Sequence, residues 1–344
     1  MDVASYFKAA QRVFSTLYYL LCVIAPWFNG NKISRILKLL VDSADLQIFQ
    51  YHCWLKSKLF CYTVLASYLI FVPSFIILES TEGNSSWEVI LGGHVASARY
   101  AFFLSNNKST IPSGNEISHV DLLISSILFI AAALFELLGF FSDGLIIMMC
   151  ITLWIPANGL ARLVRKCKDY ENEIPKETEI IMESYQVVRT LSKAINEAMN
   201  LIVFFFVMII LLYYSVNLGK IVVMEDWSER FMYIVQFFHN APVFWIAGDI
   251  CYKVGRLVDY FWGKTCSIPT STLSSCHCRD NKHSTRDTTI ISQQRLTLLL
   301  YQLKSHSVGI SAHFFYLHYG AVFSILGTIV TYFVICAKMV EDVK

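Results

Sequence analysis

Four side chains able to ionise or to make several hydrogen bonds, Glu136, Gln236, His239 and Asn240, stand inside runs of otherwise apolar sequence. Such groups are costly in hydrocarbon, so each is a candidate for function by default. Tyr213, Tyr214, Tyr233 and Trp245 lie in the same runs or the neighbouring one. Aromatic walls with a few polar groups suit a small organic molecule, held by shape and oriented by one or two hydrogen bonds. The chemistry on offer is recognition rather than bond-breaking. The competing reading is structural: aromatics form belts at membrane interfaces, and a lone buried His or Glu is often satisfied by a neighbouring helix. Asp249 has a simpler partner in Lys253, one helical turn on, and is expected to be structural.

Covalent chemistry finds no support. The chain has no Gly-rich phosphate cradle, no His-Glu-x-x-His and no Gly-x-Ser-x-Gly turn. Cys276, His277, Cys278 and His283 lack the paired spacing of a structural zinc module and read as part of a solvated loop rich in Ser and Thr, Thr265 to Thr289. Neither an enzyme, a cofactor nor a nucleic-acid partner is expected.

The elements that hold these residues are membrane helices. Of 344 residues, 55% are hydrophobic and 16% charged, and the mean hydropathy is +0.50, far too apolar for an ordinary soluble domain. A helix needs about 20 apolar residues to cross a bilayer core of about 30 Å, because hydrocarbon offers no partner for backbone polar groups. Seven stretches approach that length: 57–78, 87–104, 119–140, 144–162, 198–218, 231–251 and 314–337. The second is the weakest, carrying Gly92, Gly93, His94 and Arg99.

Positive charge decides the topology. Lys8, Arg12, Lys32, Arg35, Lys38 and Lys56 precede the first crossing, Arg162 to Lys193 separate the fourth from the fifth, and Lys253 to Lys304 separate the sixth from the seventh. Cytosolic segments collect Lys and Arg. Placing all three inside needs an even number of crossings between 56 and 162, which the doubtful second segment supplies. The expected protein is therefore an all-α, multi-pass membrane protein with seven crossings, its N-terminus inside and its C-terminus outside. Asn84, in the first outer loop, should carry sugar, and Asn107, in an inner loop, should not.

The apolar stretch Phe14 to Trp27 is short, contains Pro26 and lacks a convincing cleavage site, so it reads as an amphipathic or re-entrant helix rather than a signal peptide. Most of the ten cysteines fall in membrane helices or cytosolic loops, where disulfides are not expected. The chain is read as one domain: a cytosolic segment 1–56, helices one to six over 57–251, a cytosolic loop and helix over 252–313, and a last helix with an outer tail over 314–344.

Two helices should project into the cytosol. Ile181, Tyr185, Val188, Ile195 and Met199 recur at helical spacing without Pro or Gly into the fifth crossing, and Leu296, Leu299, Leu300 and Leu303 repeat the pattern before the last. Such stripes need partners, either within one subunit or between subunits.

The last sixty residues resemble the insect gustatory receptors of the arthropod chemoreceptor superfamily. That family shows a terminal helix with Thr-Tyr, five apolar residues and Gln, preceded by an aromatic and small-residue segment. The corresponding run is His313 to Tyr319, then Phe323 to Ala337 with Thr331-Tyr332 at the motif position. Weaker echoes lie in Leu17-Tyr18-Tyr19-Leu20 and in Tyr185 to Asn196. The pattern breaks where Lys338 stands in place of Gln and Met339 in place of an aromatic. The resemblance implies a homo- or hetero-tetramer of helical subunits in the plasma membrane, each giving its last helix to a central cation pore, with a pocket for a tastant in the outer half of the bilayer.

If the last helix lines a pore, spacing by three or four puts Gly327, Thr331, Val334 and Lys338 on the lining face. Val334 is apolar and suits a dewetting gate. Lys338 adds a positive charge near the outer mouth, which repels cations unless deprotonation or Glu341 and Asp342 offset it; the alternative is simple snorkelling to the headgroups. Tyr332 lies beside the lining face and suits a role in holding neighbouring helices in register. The resulting expectation is a ligand-gated cation channel subunit opened by a small molecule. Its rivals are a non-conducting or auxiliary member of the same superfamily and a seven-helix receptor coupled to G proteins, which needs the opposite orientation.

Overall fold

The computed structural model describes residues 3–50, 119–168, 174–223, 240–257 and 308–341, with the single positions 62, 66, 259 and 301. The first two expected crossings, apart from Tyr62 and Ala66, lie outside the described residues, as do Asn84, Asn107, the Cys276–His283 cluster and the Leu296–Leu303 stripe. The described chain is helical: α1 (Val3–Phe28), α2 (Gly30–Asp42), α3 (Gln47–Gln50), α4 (His119–Lys168), α5 (Ile174–Val223), α6 (240–257) and α7 (Tyr319–Glu341). It divides into two compact units, Met1–Cys61 with Ile146–Lys344, and Tyr62–Leu145.

The first unit is built around α5. Its 50 residues span about 75 Å at 1.5 Å per residue, far more than a bilayer core of about 30 Å. Ile181, Tyr185, Val188, Ile195 and Met199 are all buried, so the stripe read from the sequence is packed within one chain. The stripe continues through Ile202, Val203 and Phe206. α1, α2 and α7 all pack on α5. The expected helix over Phe14–Trp27 extends in both directions as α1 and lies along the apolar length of α5, with Phe14 against Phe205 at 5.7 Å and Tyr18 against Phe206 at 6.3 Å between ring centroids. α2 is amphipathic and meets α5 where its charged part gives way to its apolar part. There Asn29 donates to the Ala198 carbonyl (3.1 Å) and Lys32 to that of Glu197 (2.9 Å).

Two expected boundaries are corrected. The third and fourth crossings were expected to part at residues 141–143, but α4 runs through that stretch without a break. Its Gly139, Ser142, Asp143 and Gly144 lower helix propensity without forbidding the conformation, and no proline interrupts the run until Pro156. The last helix begins at Tyr319 rather than 314. Residues 310–317 fold back in a tight turn instead, with Leu317 N–H donating to the Ile310 carbonyl (2.9 Å) and Ala312 N–H to that of Phe315 (2.7 Å). His318 then ends the turn, its Nδ1 accepting from the Ala321 N–H at 3.1 Å as a helix cap. Among the described residues, two helical stretches are long and apolar enough to cross a membrane, Phe141–Lys166 and Glu179–Ser215.

One close approach in the first unit requires glycine. A Cβ at Gly159 of α4 would collide with the backbone carbonyl of Ile48 in α3. Because backbone cannot move aside like a flexible side chain, Gly159→Val is expected to lower stability by about 1–3 kcal/mol through overpacking. Thermal melting in detergent reads this, and a variant that melts with the wild type would show that the α3 contact does not matter.

Candidate functional site

The upper part of the first unit encloses a cavity of about 200 Å³ between α5, α6 and α7. α5 supplies Ile210 and Tyr214, α6 supplies Asn240, Ala241, Phe244 and Trp245, and α7 supplies Tyr319, Val322, Phe323, Ile325, Leu326 and Ile329. Two turns of α7 face it because Val322, Ile325, Leu326 and Ile329 recur at steps of three and four. The walls are almost entirely apolar, with the amide of Asn240 and the phenols of Tyr214 and Tyr319 as polar groups. Tyr214 and Asn240 are buried, whereas Trp245 is 47% and Phe323 70% exposed in the single chain.

Aromatic contacts shape the walls. Phe206 stacks on Phe244 at 6.0 Å, and Tyr213 meets Tyr214 edge-on at 5.2 Å. Tyr319 lies against Tyr252 at 6.2 Å. Its ring fits over Gly248, where an added Cβ would come within 2.7 Å of it. The start of α7 is thus seated directly on α6.

Beneath the cavity lies a polar knot. Trp245 packs against Trp154 of α4, with ring centroids 6.0 Å apart. Trp154 Nε1 donates to Asp249 Oδ2 at 2.6 Å. Lys253 bonds to the same carboxylate oxygen and to Asn158 Oδ1, and its ammonium sits 5.3 Å above the Trp154 ring. The Asp249–Lys253 pair expected from sequence is formed. Trp154 and Asn158 were missed as its partners, although an asparagine inside an apolar run was itself a signal of the same kind as Asn240.

A second tie fixes the segment leading into α7. Ser192 Oγ donates to the Gly309 carbonyl (2.9 Å) while accepting from the Gly309 N–H (3.1 Å). Asn196 Nδ2 donates to the same carbonyl (2.9 Å), and its Oδ1 accepts from the Ser311 N–H (2.8 Å). These bonds clamp the turn to α5. His313 at the tip of the turn has φ of 60°, a left-handed conformation that few residues other than Gly, Asn and Asp adopt cheaply.

Of the ligand-binding residues expected from sequence, Tyr214, Asn240 and Trp245 come together at the cavity. Tyr233, Gln236 and His239 lie outside the described residues. Glu136 is on α4, in the part that belongs to the second unit. Sequence reasoning missed α7 as a wall, because helix rotation decides which face meets a neighbour. Gly327, Thr331, Val334 and Lys338 lie together on the opposite, exposed face of α7, and Tyr332 is exposed beside them. Within that helix Thr331 donates to the Gly327 carbonyl (2.8 Å), which keeps its hydroxyl close to the backbone.

This arrangement is a bundle of long helices with a small apolar cavity against α7. Two solved structures share the fold. One is the insect olfactory receptor OR5 from Machilis hrabei in complex with eugenol, with a TM-score of 0.54 and 13% identity over 98% of this chain and 83% of that one. The other is a second structure of the same receptor, with a TM-score of 0.53 and 12% identity over 97% and 81% of the two chains. No family model matches the chain, and no curated protein does.

Proposed function

We propose that this protein is a chemosensory receptor subunit, a ligand-gated cation channel of the plasma membrane opened by a small, largely apolar molecule of the tastant type. The observation that carries the reading is the shared wall: the cavity is bounded by α7, the helix whose opposite face presents Gly327, Thr331, Val334 and Lys338. A molecule in the cavity touches the helix that must move for a pore along that face to open, so its differential contact with two positions of α7 can shift their equilibrium. Tyr214 and Asn240 would orient the ligand, and Val334 would form the constriction. The shared fold with an olfactory receptor, one of whose structures holds the small phenol eugenol, supports this ligand class.

In this reading α4, α5, α6 and α7 each cross the membrane once, with the C-terminus outside, and α1 runs antiparallel to α5 through the bilayer, its C-terminal end at the cytosolic level of Ala198. Lys32 and Arg35 of α2 lie at the same level as Lys193 of α5, which favours one cytosolic side for both basic segments. A tetramer closes the pore around the exposed face of α7. The gustatory assignment rests on the Thr331-Tyr332 motif.

The test is membrane current in cells with verified surface expression. Ala241→Trp is expected to fill the cavity and to raise the half-maximal concentration of any activating ligand at least about tenfold, a loss of about 1.4 kcal/mol in binding. A response unchanged by this variant would move the ligand site elsewhere. Lys338 favours one second reading, a non-conducting or auxiliary subunit; the absence of current alone, with current restored on coexpression of a relative, would select it.

A further inference from the structure

A second cavity of about 340 Å³ lies between α2 and α5, well away from the apolar one. It is lined by Arg35 of α2 and by Gln186, Arg189, Thr190 and Lys193 of α5. The α5 residues fall on one face by their spacing, and Arg35 closes the groove from across the interface. Two guanidinium groups, an ammonium and an amide thus converge on one open space.

The carboxylates nearby do not neutralise it. Glu197 stands one turn above Lys193 and reaches it at 3.9 Å and Arg35 at 4.0 Å, both at the limit of an ion pair. Glu183, one turn below Gln186, is exposed. Pairs so long and so open to solvent contribute little. Three cations against Glu197 leave the groove positive. Arg189 and Arg35 keep the planar forks that match phosphate oxygens two at a time, with Lys193 as a point charge.

Depth narrows the class of anion. Lys193 precedes the apolar run that starts near Met199 by six residues, or about 9 Å of helix. In the proposed orientation that is the cytosolic edge of the headgroup layer, which extends roughly 5–8 Å beyond the hydrocarbon of each leaflet. Gln186 and Arg189 lie deeper in the cytosol, within reach of phosphates that project from an inositol ring. Basic pockets between helices on this side of a membrane suit such headgroups.

We propose that the α2–α5 groove is a binding site for a polyphosphorylated inositol group, held by Arg35, Arg189 and Lys193. Occupancy would bridge the N-terminal helices to α5 with charge-assisted bonds, beside the Ser192–Asn196 clamp on the segment entering α7. The inference rests on the proposed orientation only for the source of the phosphate, lipid or free.

The test uses the purified full chain in detergent and reads ligand-dependent thermal stabilisation. The probes are short-chain phosphatidylinositol bisphosphate, short-chain phosphatidylserine, soluble inositol trisphosphate and inorganic phosphate. Saturable stabilisation by the inositol bisphosphate lipid is expected, with affinity weakened at least about tenfold in Arg189→Gln and in Arg35→Gln. Arg256→Gln, an exposed arginine outside the groove, is expected to bind as the wild type does. Equal binding of inositol trisphosphate assigns the site to a free phosphate compound; binding of the lipid alone assigns it to a headgroup. Stabilisation by phosphatidylserine equal to that by the bisphosphate, or variants that bind as the wild type does, overturns the proposal. Lys193→Gln, at a position 76% exposed, keeps the test valid should an arginine variant fold poorly. None of these readouts needs channel opening, so their failure leaves the ligand-gated reading standing, and a silent channel leaves the groove standing.

Discussion

Asp249→Ala is expected to destabilise the protein by about 3 kcal/mol. The variant removes the only carboxylate among the described residues that bonds to Lys253, whose side chain is 21% exposed. Burial has already stripped most water from the ammonium, which among the described residues retains the Asn158 side-chain carbonyl and the face of Trp154. Trp154 loses its acceptor in the same step. These remaining contacts hold the loss near the lower end of the range for breaking a buried pair. The double variant Asp249→Leu with Lys253→Met leaves no buried charge and is expected to recover most of the stability, because well-packed apolar side chains replace buried ion pairs at little cost. Melting temperatures in one detergent, with surface expression alongside, check both statements. If the single variant melts with the wild type, the knot is incidental and Trp154 must hold α4 to α6 by packing alone.

Lys338→Gln is expected to raise single-channel cation conductance severalfold. Lys338 is exposed on the last turn of α7, in line with Gly327, Thr331 and Val334. In the proposed tetramer, four ammonium groups about 7 Å from the pore axis would raise the energy of a passing monovalent cation by about 2 kcal/mol in water before salt screening. Glutamine removes the charge and keeps the length. The same substitution should shift the reversal potential toward greater cation selectivity, and the difference from wild type should shrink as salt rises and the Debye length falls below about 8 Å. Conductance and selectivity identical to wild type would mean that Lys338 snorkels to the headgroups away from the axis. Val334 would then stand as the only candidate constriction on that face.

The two effects separate stability from conduction. The Asp249 knot lies below the apolar cavity and meets it through Trp154 and Trp245 and through Tyr319, which lies within electrostatic reach of Asp249, whereas Lys338 lies well beyond the α7 residues that line the cavity. A change in ligand sensitivity that accompanies Asp249→Ala without loss of surface protein would mark the tryptophan pair as part of the gating contact. Such coupling is a matter for measurement, since adjacency alone does not establish it.

Much of this architecture was legible in the chain itself, for reasons of period and solvent. Helix follows from long apolar runs because the backbone must satisfy its own hydrogen bonds. Ile181, Tyr185, Val188, Ile195 and Met199 were readable as a buried stripe because a helix returns to one face every three or four residues. The Asp249–Lys253 pair was readable because its members are one turn apart on one helix. The common face of Gly327, Thr331, Val334 and Lys338 follows from the same rule, and all four are exposed together.

Tertiary structure decided everything that depends on how one helix is turned against another. No local rule places Val322, Leu326 and Ile329 opposite Tyr214 and Asn240, or brings Arg35 over Arg189 and Lys193, residues more than 150 positions away in the chain. The start of α7 at Tyr319 depended on the Ser192–Asn196 clamp and the His318 cap, which hold the preceding aromatic run in a turn that its apolar character alone would have assigned to helix. Trp154 found Asp249 only because α4 and α6 pack side by side. Hydrophobic period records which face is buried, while the identity of the neighbour is set by packing between surfaces that are all apolar and therefore locally equivalent.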